Sequence, residues 1–228
     1  LRRQRQMCIR DSFHSMHVVQ LPLPQCFLFE APTFPDKRGF FSAPFHAPTF
    51  IDTVGYKLAV KQTNLSPTHR GAVRGIHFAD VPPGQSKYVY AASGRLLDVL
   101  VDLRVGSPTF SQHVAVELSP NSGKAVFLPE GMGHLVIGLT DDAALNYLCS
   151  EAYNPPAEHG INPFDPTLSL PFNTWCEKYG LGNKSCLTLS EKDQAAPTLR
   201  AVKESEALPR YDECVAYYHD LQHMPSDH

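Results

Sequence analysis

The chain has 228 residues, a formal net charge of -3 at pH 7 and 19% charged residues. This length suits one domain with a substantial core, and so small a net charge gives no bias toward nucleic acid, so we expect no nucleic-acid partner. No apolar run approaches the roughly 20 residues that span a bilayer, so we expect no membrane association. The 20 prolines favour many turns and short strands over long helices.

Residues 1–15 are expected to be a non-native or disordered leader. Residues 1–6 are basic and lack the apolar stretch of a secretory signal, and the letters MCIRDS at residues 7–12 resemble a translated sequencing adapter. Residues 16–228 are then expected to form a single domain. The six cysteines show no paired spacing for zinc and no dense disulfide pattern. Reduced thiols and a cytoplasmic location are therefore the simplest expectation.

Alternating apolar residues predict a series of short strands through the middle of the chain. One such segment runs from Leu96 to Val105, where Leu97, Val99, Val101, Leu103 and Val105 form one apolar face. The same period of two recurs at residues 114–118, 135–139 and 145–149, and turn signals such as Gly106-Ser107-Pro108 separate the segments. Many short strands at this spacing predict a sandwich or barrel.

Helical periodicity is visible only near the C-terminus. Apolar residues recur there every three to four positions, at Leu208, Tyr211, Val215, Tyr218 and Leu221. This spacing predicts an amphipathic helix. The predicted fold class is therefore all-β, a cupin-type double-sheet jelly roll with a short C-terminal helical segment.

A histidine and a lysine lie ten residues apart on what read as neighbouring strands. His77 stands in the run RGIHF at residues 74–78, and Lys87 in QSKYV at residues 85–89. An imidazole can remove a proton next to a carbonyl, and an ammonium can stabilise the enolate oxygen. His77 shares its predicted strand face with Val73 and Gly75, which would point inward in a barrel. The alternative is a neutral, inert histidine on a strand.

A second histidine raises the question of a metal. The run PEGMGH at residues 129–134 resembles the second motif of metal-binding cupins, Pro-x-Gly-x-x-His. Those proteins usually add a His-x-His pair, whereas Ala79 stands two residues after His77. Two histidines without a third ligand make a poor zinc or iron site, so we expect no metal. His134 is then either a pocket-lining residue or a core histidine.

Several ordered motifs resemble the dTDP-4-dehydrorhamnose 3,5-epimerase family and its relatives in deoxysugar pathways. They are QTNLS at residues 62–66, GAVRGIHFADVPPGQSKYV at 71–89, DVLVDLRVGSPTF at 98–110 and YLCSEAYNP at 147–155. The resemblance covers nearly the whole chain. It implies the cupin jelly roll, a homodimer, and inversion of C3, C5 or both of a dTDP-linked 4-keto-6-deoxyhexose. It also implies that no metal or redox cofactor is required, because the ketone is the activating group.

The resemblance implies four catalytic residues. His77 would be the base, Asp193 its orienting partner, Lys87 the cation beside the enolate oxygen, and Tyr147 the acid on the opposite face. A phenol, with a reference pKa of about 10, is protonated at neutral pH and can return a proton. Each role has a plainer alternative: Asp193 as a surface helix cap, Tyr147 as a core aromatic and Lys87 as a solvated strand-end residue.

The resemblance further implies contacts to the nucleotide. Arg38 and Arg74 would hold the diphosphate, because a guanidinium suits bidentate phosphate contact. The alternative for Arg38 is a simple turn residue. The other implied substrate contacts are Phe41, Gln62, Asn64, His134 and Tyr153. The proline-containing segment 18–41 suits edge strands and is expected to cross to a partner sheet.

Two positions and one segment depart from the family's usual pattern. Ala43 stands where the family often has a glutamate that is expected to contact the nucleotide base. Leu135 stands where the family has a glycine after His134. The segment 172–189 is longer than usual and is expected to be a surface loop. Three other functions stay open: a nucleotide-sugar 3,4-ketoisomerase, a metal-dependent cupin enzyme and a catalytically silent binding relative, against which the presence of His77, Asp193 and Tyr147 argues.

Overall fold

The computed structural model describes residues 16–225, in which the chain forms two large antiparallel sheets and one separate hairpin. The expected leader at residues 1–15 lies outside the described residues. The strands are β1 (His17–Gln20), β2 (Phe27–Glu30), β3 (Thr33–Asp36), β4 (Gly39–Ser42), β5 (Gln62–Pro67), β6 (Val73–Ala79), β7 (Lys87–Ser93), β8 (Leu96–Asp102), β9 (His113–Leu118), β10 (Lys124–Leu128), β11 (Met132–Gly138), β12 (Ala144–Cys149) and β13 (Glu158–Gly160). The α-helices are α1 (Ala47–Val54), α2 (Phe172–Tyr179), α3 (Glu191–Gln194), α4 (Leu199–Glu204) and α5 (Tyr211–Gln222).

The two large sheets face each other across an apolar core. The first has the strand order β1-β2-β10-β7-β12-β5, and the second has the order β13-β6-β11-β8-β9. Their facing side chains form one buried cluster, whose members include Val89, Leu96, Leu100, Val136 and Leu145. Burying one face of each sheet against the other is the basis of a β sandwich. The predicted cupin-type jelly roll is confirmed.

The strand β8 is buried on both faces, so the prediction of a single apolar face is wrong. Leu96 and Leu100 face the other sheet, whereas Leu97, Val99 and Val101 belong to a second buried cluster on the outer side. A strand in the interior of a covered sheet has no solvent face. Its two aspartates, Asp98 and Asp102, are buried as well and require polar partners.

The outer apolar face of the five-stranded sheet is covered by the C-terminal third of the chain. The segment 172–189 is part of this cover, so its prediction as a surface loop is wrong. Helix α2 lies within it and buries Phe172, Trp175 and Cys176 against the sheet. Each of these side chains removes apolar area from water, which is the dominant favourable term in such packing.

The predicted C-terminal amphipathic helix is confirmed as α5, where Cys214 and Tyr218 are buried. Helix α1 has no counterpart in the sequence prediction. It buries only Phe50, in an aromatic cluster with Phe29, Tyr88 and Phe127 on the outer face of the six-stranded sheet. Its eight residues make only about two helical turns, which is too short a stretch for a helical period to stand out in the sequence.

Two features of the six-stranded side stay uncovered in the single chain. The β3–β4 hairpin exposes Phe34, Phe40 and Phe41, and the side chain of Phe41 keeps 60% of its area in solvent. The strand β5 lies at the edge of the six-stranded sheet and exposes Leu65. Exposed aromatic side chains in one hairpin are typical of contact surfaces.

Within the described range, no helix combines the length and apolarity that a membrane crossing needs.

Candidate active site

A bulge in β6 determines which of its side chains enter the sandwich. On β11 His134 is opposite His77 and Val136 is opposite Arg74, so β6 contains one extra residue between these pairs. An extra residue shifts the alternation of faces along the strand. His77 and Arg74 therefore both line the interior cavity. Val73, which was expected to share the face of His77, packs in the outer cluster.

Gly75 makes the bulge possible. Its φ is +111°, and a Cβ at this position would lie 2.3 Å from the backbone oxygen of His134. Positive φ and such a close approach both require glycine. The backbone N–H of Gly75 donates to Asp193 Oδ2 over 3.0 Å. The bulge thus fixes a carboxylate next to the strand that carries His77.

His77 and Asp193 form a hydrogen-bonded pair. His77 Nε2 lies 2.8 Å from Asp193 Oδ1. Ser190 caps α3 by accepting the N–H of Asp193, so the alternative in which Asp193 is a surface cap is wrong. Burial raises the pKa of Asp193, but its hydrogen bonds to His77 and Gly75 outweigh this and lower the pKa below its ordinary value. The carboxylate is therefore ionised at neutral pH.

A second histidine–aspartate pair lies directly beside the first. His134 Nε2 is 2.5 Å from Asp98 Oδ1, and both residues are buried. Burial lowers the pKa of His134, Asp98 opposes that effect, and the nearby Lys87 and His77 lower the pKa further. The His134 ring also packs edge-on against Tyr147, with 5.7 Å between ring centroids. Sequence reasoning missed Asp98, although a charged residue inside an apolar strand pattern was a usable signal.

The six-stranded sheet supplies a lysine and a tyrosine to the same space. Lys87 Nζ lies 5.7 Å from the centroid of the Tyr147 ring. Burial lowers the pKa of Lys87, while Cys149, Glu158 and Asp98 oppose the shift. Burial raises the pKa of Tyr147 to about 12, and Asp98 acts in the same direction. The phenol thus keeps its proton at neutral pH.

These side chains line one open cavity of about 830 Å³. His77, Lys87, Tyr147 and Asp193, the four predicted catalytic residues, are all in its wall. The predicted contacts Gln62, Asn64, Arg74 and Tyr153 line it too. His134 lies behind this wall, in a smaller adjoining space next to His77 and Lys87. The cavity continues over edge strand β5, where Thr63 and Leu65 complete the lining.

Hydrogen bonds hold the polar side chains at the mouth of the cavity in place. Arg74 donates to Thr68 Oγ1 over 3.0 Å and to the carbonyl of Pro67 over 2.9 Å. Gln62 Nε2 donates to Asn64 Oδ1 over 2.8 Å, and Gln62 Oε1 accepts the backbone N–H of Tyr153 over 2.9 Å. These bonds orient the amide and guanidinium groups before any ligand binds.

Arg38 and Phe41, by contrast, lie outside the cavity of their own chain. Both belong to the β3–β4 hairpin, and Arg38 pairs with Asp36 over 2.6 Å in the hairpin turn. Phe41 lines a separate groove between the hairpin and the outer face of the sheet. A single chain therefore does not bring these two predicted contacts to the other site residues.

The arrangement can move protons on and off a bound molecule from two sides. His77 comes from one sheet and Tyr147 from the other, so a base and an acid lie in opposite walls. Lys87 adds a cation that is paired with no carboxylate of the described residues. No group of three or more His, Cys, Asp or Glu side chains in residues 16–225 is placed to hold a metal ion. The fold and the cavity define an enzyme of the cupin type that is built for acid–base chemistry.

Comparison with known proteins identifies the family. The family model described as dTDP-4-dehydrorhamnose 3,5-epimerase matches residues 20–201. A dTDP-4-dehydrorhamnose 3-epimerase of Streptomyces niveus is 42% identical over 79% of this chain and 83% of its own length. A dTDP-4-dehydrorhamnose 3,5-epimerase of Streptomyces griseus is 38% identical over 88% of this chain and 96% of its own.

Solved structures agree with the sequence comparison. The rmlC epimerase of Mycobacterium tuberculosis superposes with a TM-score of 0.84 at 34% identity, covering 90% of this chain and 100% of that one. A 3'-monoepimerase of Streptomyces bikiniensis in complex with dTDP-quinovose gives a TM-score of 0.82 at 36% identity, covering 89% and 98%. The chain belongs to the dTDP-4-dehydrorhamnose 3,5-epimerase family and is an isomerase.

Proposed function

We propose that this protein epimerises a dTDP-linked 4-keto-6-deoxyhexose at C3, C5 or both, in deoxysugar biosynthesis. The observation that carries the proposal is the His77–Asp193 pair on one wall of a cavity whose opposite wall carries Tyr147. Both candidate carbons are adjacent to the C4 ketone, so the same pair of groups can serve either. The Streptomyces bikiniensis relative was solved with dTDP-quinovose, which supports a dTDP-sugar as the substrate class.

Proton removal is the first step. Asp193 accepts a hydrogen bond from His77 Nε2–H, which leaves the lone pair on Nδ1 free for the substrate. Nδ1 takes the proton from C3 or C5, and the C–H electrons form a carbon–carbon double bond to C4. The ketone oxygen becomes an enolate. Asp193 stabilises the imidazolium that results, as an ionised carboxylate next to a new positive charge.

Lys87 stabilises the enolate oxygen. Its ammonium lies in the wall between His77 and Tyr147, and no carboxylate of the described residues competes for it in an ion pair. A charge in such a half-buried setting interacts with an oxyanion more strongly than it would in water. Burial lowers the pKa of Lys87. The negative charge of the enolate would oppose this shift, because it favours the charged ammonium form.

Tyr147 returns a proton from the opposite face. Its pKa of about 12 keeps the hydroxyl protonated until an enolate is present. Transfer of the phenol proton to C3 or C5 regenerates the C4 ketone and inverts the carbon. The phenolate then recovers a proton from solvent and the imidazolium loses one, so the cycle closes without net change in the enzyme.

The nucleotide lies at the open end of the cavity, where Arg74, Gln62, Asn64 and Tyr153 line the mouth. We propose that a second copy of the chain completes this end. The cavity runs past the edge strand β5 to solvent, and Leu65 there keeps 65% of its side-chain area exposed. In a homodimer, the partner's hairpin would bring Arg38 and Phe41 to this opening. The exposed aromatic residues of the hairpin support such a contact.

We place the protein in the cytoplasm. All five cysteines of the described residues are free thiols, which suits a reducing compartment.

Deuterium exchange tests the proposed reaction. The purified protein is incubated with dTDP-4-keto-6-deoxyglucose in D₂O, and NMR follows C3–H and C5–H separately. We expect deuterium at C3, C5 or both, with inverted configuration at each exchanged centre. A product in which the ketone has moved to C3 would indicate a 3,4-ketoisomerase instead. Absence of exchange at both centres would contradict the proposal.

A further inference from the structure

Two cysteines lie in the chain segment that covers the five-stranded sheet. Cys176 belongs to α2 and is 2% exposed, whereas Cys186 ends the turn Lys184–Cys186 and is exposed. Both are free thiols. Neither lines the cavity, so neither has a part in the function proposed above.

Two hydrogen bonds turn the chain back along α2 and bring these cysteines together. The backbone N–H of Leu181 donates to the carbonyl of Cys176 over 2.8 Å, just after the helix ends. The backbone N–H of Lys184 then donates to Asn173 Oδ1 over 3.3 Å. Asn173 and Cys176 are three residues apart on one helix, so they are neighbours on its surface. The turn therefore runs beside the part of α2 that carries Cys176, and Cα atoms of helix and turn approach within 8 Å.

The two thiols also influence each other. A Cβ added at Gly182 would lie 2.9 Å from Cys186 Sγ, so the Cys186 thiol packs against the loop that follows α2. Burial raises the pKa of the Cys176 thiol, and the charge of Cys186 raises it further. An effect between charges falls with distance, which agrees with two neighbouring sulfurs. A disulfide needs Cα atoms about 4.4–6.8 Å apart, a spacing that the approach of the exposed turn to α2 permits.

We infer that Cys176 and Cys186 form a redox modification site, which a small-molecule disulfide such as oxidised glutathione converts to an intrachain disulfide that stabilises the cover. In a reducing compartment, such bonds are transient and typical of redox sensing. Cys186 is the accessible thiol that reacts first, and Cys176 is the buried thiol that resolves the intermediate.

Two thiol–disulfide exchange steps form the bond. The Cys186 thiolate attacks one sulfur of oxidised glutathione, whose S–S bond breaks and releases one glutathione thiolate. Cys176 gives its proton to solvent, and its thiolate attacks the Cys186 sulfur of this mixed disulfide, which releases the second glutathione thiolate. The two protein thiols lose two electrons and two protons, and one oxidised glutathione becomes two reduced ones. The raised pKa of Cys176 suits the second step, in which the target sulfur is already next to it.

The bond would close a loop directly before the cavity wall. Thr188 follows Cys186 by two residues and lines the cavity. Its N–H donates to the carbonyl of Gly71 over 3.0 Å, and its carbonyl accepts the N–H of Val73 over 2.9 Å. The wall is thus attached to β6 on one side of Cys186, and the disulfide would attach the chain to α2 on the other. Closing a loop restricts the unfolded chain and so stabilises the folded state.

The test compares the parent with Cys176→Ser, Cys186→Ser and Cys214→Ala. Cys214 is a buried cysteine of another apolar cluster, so Cys214→Ala controls for the loss of one thiol. Each protein is incubated with oxidised glutathione, free thiols are blocked with N-ethylmaleimide, and mass spectrometry maps the linked peptides. Thermal unfolding of the reduced proteins shows that each variant is folded. Because Cys186 is exposed, Cys186→Ser removes its thiol without disturbing the core.

The parent and Cys214→Ala should each give a Cys176–Cys186 link and a Tm about 5 °C above that of the reduced protein. Dithiothreitol should reverse both changes. Cys176→Ser should stop at the glutathione mixed disulfide on Cys186, and neither serine variant should gain in Tm. A parent that keeps the mixed disulfide on Cys186, links Cys186 to a different cysteine, or has a lower Tm once the link has formed would show that the two thiols are not such a site.

Discussion

Two histidine–aspartate pairs lie on neighbouring strands, and the exposure of each imidazole separates their roles. His77 keeps 40% of its side-chain area exposed toward the cavity, whereas His134 keeps only 4%. A base must be reached by its substrate, so His77 is the accessible one. The buried His134–Asp98 pair instead supports the floor beneath Tyr147 and Lys87. Burial lowers the pKa of His134, which favours the neutral form of its imidazole.

The role of His77 can be tested against a matched histidine. His159 also pairs with a carboxylate, Asp80, over 2.7 Å, but it does not line the cavity. We expect His77→Asn to lose at least about 100-fold in kcat while the Kd for dTDP stays near that of the parent. His159→Asn should keep nearly full turnover. Near-parent turnover of His77→Asn would show that another group is the base.

Tyr147 should be needed for reprotonation more than for proton removal. Tyr147→Phe removes only the hydroxyl, so His77 can still abstract the proton and return it to the same face. Solvent deuterium should enter the substrate, while inversion slows by about 100-fold or more. Tyr90→Phe, on the neighbouring strand and outside the cavity, is the control. Loss of exchange as complete as in His77→Asn would mean that Tyr147 aligns the substrate or stabilises the enolate.

The sequence predicted the residue types of the cavity but not all of their neighbours. His77, Lys87, Tyr147 and Asp193 could be named because the motifs around them resemble those of a family. Asp98 could not be connected to His134, because that pairing depends on the register of β8 against β11, where Asp98 is opposite Val136. Register between distant strands is set by long-range packing, which a single sequence does not display.

At the scale of elements, the bulge in β6 positions several groups of the site at once. It turns Arg74 and His77 to the same interior face and offers the Gly75 N–H to Asp193. Period-two reasoning failed at this point, since it assumed strict alternation from Val73 to His77. A glycine inside a strand pattern is the usual signal of a bulge and was present.

Gly75→Ala tests the bulge, and Gly71→Ala is its control. Both glycines have positive φ, +111° and +78°, but a Cβ at Gly71 meets nothing within 4 Å. The control should cost about 1 kcal/mol of unfolding free energy from backbone strain alone. Gly75→Ala adds a contact with the His134 backbone and should cost at least about 2 kcal/mol more. Urea unfolding measures both. Equal losses in the two variants would mean that the bulge tolerates a side chain.

The loop before β11 carries a buried acid that should make stability depend on pH. Glu130 is 2% exposed, and no described residue hydrogen-bonds its Oε2. Burial raises the pKa of Glu130 from 4.5 to about 7. The folded state therefore binds this proton more tightly than the unfolded state does. The contribution to stability is complete below pH 4.5 and is lost as the pH rises through about 7.

Glu130→Gln replaces the protonated acid with a neutral group of similar shape and removes this dependence. Between pH 5 and 8 the parent should lose up to about 3 kcal/mol relative to the variant. Urea unfolding of both proteins at each pH gives the difference directly, and all other titrating groups cancel in it. A parent-to-variant difference that is the same at pH 5 and pH 8 would mean that Glu130 titrates near its ordinary pKa.

Helix prediction failed for a related reason. The segment 172–189, which contains helix α2, was expected to be a surface loop because it is longer than usual for the family. Phe172, Trp175 and Cys176 are nevertheless buried, because the outer face of β8 and its neighbours is apolar and must be covered. That this outer face must be covered can be inferred only from a structure in which β8 is buried on both faces. Local patterns cannot supply that information.

At the scale of the whole molecule, the single chain brings the four predicted catalytic residues together but leaves one end of their cavity open. The outer face of the five-stranded sheet is covered by α2, α4 and the segments between them, and α1 covers part of the other sheet. The β3–β4 hairpin and the edge strand β5 stay uncovered. The hairpin carries Arg38 and Phe41, the two predicted contacts that lie outside their own chain's cavity.

A heterodimer of two defective chains tests whether sites are shared between subunits. One chain carries His77→Asn and the other Arg38→Ala, each with a different affinity tag, and the mixed dimer is purified through both tags. If the hairpin of one chain serves the cavity of the other, one site of this dimer combines an intact His77 with an intact Arg38. The other site carries both defects. Activity should therefore return to about half of the parent value, since a twofold dimer has two equivalent sites.

The control pairs His77→Asn with Asp193→Asn. These residues hydrogen-bond within one chain, so no arrangement of subunits yields an intact site, and activity should stay at the level of the single variants. Light scattering of the parent should give a dimer mass at micromolar concentration. A monomer mass, or a His77→Asn/Arg38→Ala dimer no more active than the control dimer, would mean that each chain supplies Arg38 to its own site. The Arg38→Ala homodimer must itself be defective for the test to apply: if it kept parent activity, Arg38 would be a turn residue paired with Asp36, and the cavity would bind its substrate without it.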